Sequence, residues 1–74
     1  MTCGELIEWI QIFKTRTGKA PIALYIGYST LMELKRDVYT NRYMSPPHRH
    51  GDREKFNGIP IYEVNKHTHI GAGI

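Results

Sequence analysis

The feature that most constrains this chain is the run at 22–26, Ile-Ala-Leu-Tyr-Ile, set between Pro21 and Gly27. Pro21 disfavours helix for the residue before it and opens an extended segment. Along a strand, Ile22, Leu24 and Ile26 point one way while Ala23 and Tyr25 point the other. Both faces are apolar, which predicts a central strand covered on both sides, or on one side by a partner chain. The chain has 74 residues to do the covering. A chain of that size buries only about 60% of the surface its unfolded form exposes, so stability is marginal and a second domain is excluded.

Elements on either side are predicted by local signals. Thr2 and Glu5 have capping-box spacing, and Cys3, Leu6, Ile7, Ile10 and Phe13 recur at helical intervals with Trp9 beside them. Glu5 and Glu8 suit the start of that helix, Lys14 and Arg16 its end, and Gly18 its stop. Ile12 falls off the apolar face. A second helix is expected over 29–40, capped by Ser29 or by a Thr30/Glu33 box, with Leu31, Leu34 and Val38 as its buried stripe and Asn41 at its end. Pro46-Pro47 blocks helix, and 42–55 reads as a long, exposed, basic loop. Asn57-Gly58 predicts a type I′ hairpin turn between a short strand at 54–56 and a strand at 59–64. Pro60 cannot donate a ladder hydrogen bond, which argues for an edge position or a bulge there. The tail, 66–74, reads as a last strand or as a flexible arm that orders on a partner.

These elements give an α+β fold, one small domain over 1–74. Its order is α-β-α-β-β, with the tail as a further strand. The helices pack on a small mixed sheet, and strands 22–26 and 59–64 run parallel through a right-handed crossover.

The inventory removes several classes. One cysteine, Cys3, excludes a disulfide framework. No run approaches the roughly 18 apolar residues of a membrane span, and Glu5 and Glu8 stand where a signal peptide is basic and then apolar. The expectation is a protein without a membrane partner. Net charge is +3, which permits contact with phosphates or acidic proteins without demanding it.

Three constellations could carry chemistry. His48-x-His50 and His67-x-His69 could offer four imidazoles to a metal if brought together, although solvated histidines are the ordinary outcome of this pattern. Cys3 at a helix N-terminus could be nucleophilic, but a small core residue explains its place on the apolar stripe better. Asp52 and Glu54 flank Arg53 in a segment too exposed for a preorganised acid–base site. No Walker, Gly-x-Ser-x-Gly, dinucleotide or zinc-hydrolase pattern is present. Neither enzyme activity nor a cofactor is expected.

Binding is the stronger expectation. Arg42, Arg49, Arg53 and Lys55 are interleaved with Tyr39, Tyr43, His48, His50 and Phe56, the combination of cations and stacking rings that single-strand binders use. Nucleic acid is therefore one candidate partner. The other is protein. Trp9, Tyr25, Tyr28, Tyr39, Tyr43, Phe56 and Tyr62 are many large rings for so small an interior, and rings left at a surface mark interaction sites. The first expectation is a non-enzymatic protein–protein interaction protein, forming a homo-oligomer or binding another chain. Its contacts are expected among Arg42, Tyr43, His48, Arg49, His50, Arg53, Lys55, Phe56 and Tyr62, along the strand at 59–64 as a sheet edge, and in the tail.

The stretch Ile22-Ala23-Leu24-Tyr25-Ile26-Gly27 leads into Leu31-Met32-Glu33-Leu34-Lys35. Later comes Lys55-Phe56-Asn57-Gly58-Ile59-Pro60-Ile61-Tyr62-Glu63-Val64. This cadence, over about the last two thirds of the chain, resembles small tailed-bacteriophage proteins and pieces of phage capsid-type domains. The resemblance implies a phage- or prophage-encoded accessory protein, virion-associated or host-directed, found in the host cytoplasm or the virion.

Overall fold

A computed structural model describes residues 1–47 and 51–74. The first helix, α1 (Cys3–Thr17), begins and ends where its local signals place it. The Thr2 hydroxyl accepts the Glu5 N–H at 3.2 Å, and the Glu5 carboxylate accepts the Thr2 N–H at 2.9 Å. Those bonds hold the Glu5 carboxyl below its ordinary range. Gly18 closes the helix at φ 73°, its N–H donating to the Lys14 carbonyl.

Strand β1 (Ala23–Gly27) runs directly into α2 (Tyr28–Arg36). Here the sequence signals mislead. Neither Ser29 nor Thr30 caps α2, and no side chain does. Instead the N–H groups of Tyr28 and Ser29 donate to the Lys66 and His67 carbonyls, each at 3.0 Å. The first orphan donors of the helix are met by a distant segment. The far end also differs, since α2 stops at Arg36. Asp37 turns the chain, accepting the Tyr39 N–H on Oδ1 at 2.8 Å. Val38, expected in the buried stripe, is 87% exposed.

The segment expected as a loop, 42–55, contributes to regular secondary structure. Arg42 and Tyr43 end a short helix, α3 (Thr40–Tyr43). Met44 and Ser45 form β2 (Met44–Ser45), and Lys55 begins β3 (Lys55–Phe56). Strand β4 (Ile59–Val64) follows a two-residue turn whose Asn57 and Gly58 have φ 53° and 83°, as a type I′ turn requires. The tail forms β5 (Ile70–Gly73).

The sheet order is β2-β3-β4-β1-β5. β1 and β4 are parallel neighbours, and every other ladder is antiparallel. The fold is α+β on a five-stranded mixed sheet. β4 is therefore an interior strand, not the edge that Pro60 suggested. Its neighbour resolves the conflict. Ile61 N–H donates to the Glu54 carbonyl toward β3, so the nitrogen of Pro60 faces the β1 side. There the register with β1 starts only at Ile61, and no ladder bond is lost.

Among the described residues, both helices of more than one turn contribute to one core. Cys3, Leu6 and Ile10 of α1 and Leu31 and Leu34 of α2 pack on Leu24, Ile26, Phe56 and Ile61 of the sheet. Each large apolar side chain buried this way stabilises the fold by about 1.5–3 kcal/mol. Ala23 and Tyr25 point away from this core. Within the described residues the sheet is covered by helices on one face; its other face is bare of helix, although Ala23 there is only 7% exposed.

Candidate functional site

The bare face is organised in rows across the strands. Tyr25 on β1 pairs with Tyr62 on β4 and with Gly71 on β5. The two rings are tilted by 34° with centroids 5.6 Å apart. Beyond Tyr62, the bond from Ile61 to Glu54 continues the β3–β4 register and sets Arg53 opposite Tyr62. The guanidinium carbon of Arg53 lies 4.0 Å from the Tyr62 ring centroid. The row therefore reads Gly71, Tyr25, Tyr62, Arg53. The adjacent row is Gly73 and Ala23 and then, one step before the β1–β4 pairing begins, Pro60 and Lys55. Its inner members are small, so the rings stand above a low surface. A Cβ on Gly73 would lie 3.5 Å from the Tyr25 ring, which puts the edge of that ring over the glycine strand.

Carboxylates are mostly turned elsewhere. Glu54 pairs with Lys35 at 2.9 Å, and Glu63, in register with Ile26, belongs to the helix side. Asp52 lines a small hollow with Arg53 and Lys55 at the margin of the bare face.

The expected contact residues are divided by this arrangement. Arg53, Lys55 and Tyr62 share the bare face. Arg42 is exposed on α3, away from that row. Tyr43 stacks on Phe56 with centroids 5.9 Å apart. Phe56 is 0% exposed and belongs to the core, so its ring is not offered to a partner. His48, Arg49 and His50 lie outside the described residues. Tyr25, in the sequence one of many rings, is central to the row. Its signal was the alternation within 22–26, which pairs it with Ala23 against Leu24 and Ile26.

The other chemistry-bearing groups are structural. Cys3 is fully buried, its thiol 3.8 Å from the Leu34 carbonyl. Burial, and then the nearby Asp37 charge, push its thiol up, the opposite of a nucleophile. His67 meets the edge of Tyr28, with ring centroids 5.6 Å apart, while the His69 ring lies against Gly71. Among the described residues no three His, Cys, Asp or Glu stand together as a metal site would need. A groove between α1 and the hairpin turn, about 230 Å³, is lined by Ile7, Ile10 and Ile59 with Lys14 as its one charged group. No helix among the described residues is long and apolar enough to cross a membrane.

The second notable surface is the outer edge of β5. Gly27 N–H donates to the His69 carbonyl at 3.0 Å. Alternation from that pair turns the backbone groups of Gly71 toward β1 and those of Ile70 and Ala72 outward. No described strand lies beyond them. The edge carries no charge and no proline, and Ile22 and Ile74 at its end are 67% and 59% exposed.

Comparison with protein-family models, curated proteins and solved structures finds no match for this chain.

Proposed function

We propose that the protein is a small non-enzymatic protein-interaction protein that accepts a further β-strand along the outer edge of β5. The observation that carries this reading is the edge itself. An edge strand normally carries a charge, a proline or a bulge that blocks pairing. The other edge of this sheet is only the two residues of β2, followed by Pro46 and Pro47. β5 has none of these protections. Beside its outward backbone groups run Ile70 and Ala72, partly packed on the core, and then Ile22 and Ile74 in the open.

The occupant we assign is a second copy of the chain, paired antiparallel through β5. Such a pair joins two sheets, buries the isoleucines of both copies and is isologous. It also relieves the marginal stability of so small a core. The sequence cadence that resembles tailed-phage proteins supports a phage or prophage accessory role for the assembly, in the host cytoplasm or the virion.

The test is the mass of the protein in solution across concentration. The expected result is a dimer that dissociates on dilution. Ile74→Lys should shift it to monomer without altering the fold, as should Ala72→Pro, whose lost N–H faces outward. A strictly monomeric chain at high concentration, with no strand-donating partner recovered, overturns the reading.

A further inference from the structure

The geometry points to a second surface: the bare sheet face is a platform for single-stranded nucleic acid, with Tyr25 and Tyr62 stacking on bases and Arg53 and Lys55 meeting phosphates. This inference does not rest on the β5 edge.

Two tyrosines on adjacent interior strands are held at 5.6 Å by strand register, so the rings are placed by backbone rather than by flexible loops. Gly73, Ala23 and Pro60 beside them are small, while the His69 ring lies against Gly71 at the β5 end of the row. A flat ligand can approach Tyr25, the more open ring, and reaches the Tyr62 face as the Arg53 guanidinium moves off it. Bases of a single strand are such ligands, because every base has an open π face when it is unpaired. A duplex keeps those faces stacked inside.

Charge selects the same ligand. Arg53 and Lys55 stand together at the β3 side of the face, within a chain of net charge +3. The guanidinium already lies over the Tyr62 ring, which orients it at the platform and leaves a cation where a strand crossing the rings would carry its backbone. Asp52 lies at that margin, and Arg53 also borders a hollow lined by Asp52, Glu54 and Glu63.

The test is fluorescence anisotropy with labelled oligo-dT and oligo-U of about a dozen nucleotides. Binding is expected at low salt, weakening steeply as salt rises, with the matching duplex bound less tightly. Tyr25→Ala and Tyr62→Ala should each weaken binding by roughly tenfold, while Tyr62→Phe, which keeps the ring, retains it. Arg53→Gln with Lys55→Gln should weaken binding and flatten its salt dependence. Circular dichroism of each variant checks that it is folded. The proposal is overturned by no retention of either oligonucleotide at low salt, or by equal binding of the wild type and the folded Tyr25→Ala/Tyr62→Ala double variant. It is also overturned if that double variant changes the mass of the protein in solution and leaves oligonucleotide binding intact. A monomer that binds oligonucleotides through the rings supports this proposal and removes the edge reading.

Discussion

The backbone N–H of Cys3 donates to Oδ2 of Asp37 at 3.0 Å, tying the first residue of α1 to the residue that ends α2. The other carboxylate oxygen holds the Tyr39 N–H at 2.8 Å. One side chain thus satisfies an orphan donor of one helix and shapes the exit from another. The arrangement also sets a negative charge at the positive end of α1.

Asp37 should therefore show in the pH dependence of stability. The N–H groups of Tyr39 and then Cys3 hold its carboxyl below the usual range. A carboxyl lowered on folding contributes stability that is present above its unfolded value, near pH 4, and lost as pH falls through the folded one. Asp37→Asn keeps one acceptor and loses the charge. It should lower the thermal midpoint at neutral pH, and the gap from wild type should close below about pH 4. A gap that persists unchanged at pH 3, followed by circular dichroism, contradicts the linkage.

Gly27 should tolerate no side chain, although its φ of −67° is open to any residue. Space is the constraint. A Cβ would lie 2.7 Å from the Lys66 carbonyl oxygen, 2.8 Å from the His69 nitrogen and 3.0 Å from the Thr68 carbonyl carbon. All three are backbone atoms and cannot rotate aside. Gly27→Ala should cost about 1–3 kcal/mol in denaturant unfolding. It should also speed hydrogen exchange at Tyr28 and Ser29, whose amides depend on that segment.

Cys3 should be unreactive in the folded protein. With its thiol buried and its pKa raised, modification by a disulfide reagent at pH 8 should proceed roughly a hundredfold slower than in denaturant, through opening of the fold alone. A rate near that of the unfolded chain would show a thiol exposed in the native state.

What the sequence disclosed was whatever its own neighbours determine. Thr2, Glu5 and Gly18 bracket α1 because capping acts within one turn of chain, and Asn57-Gly58 announces its turn by backbone preference. What it concealed was set across the sheet. Ser29 looked like a cap because the carbonyls of Lys66 and His67 cannot be seen from residue 29. Pro60 looked like an edge residue because which side its nitrogen faces depends on the register with Glu54. The run at 22–26 looked doubly covered because a tyrosine on a bare face and a tyrosine in a core read alike. Tyr25 belongs to the first kind, and the candidate surface was hidden with it.

The placement of β1 between β4 and β5 has a consequence for biogenesis. Both flanking ladders join Ala23–Gly27 to segments translated long after it. While a ribosome is still delivering those segments, an oily five-residue stretch has no hydrogen-bonding neighbour. Neither ladder can form until residues 59–73 are present, so the central strand of the core is completed only at the end of the chain.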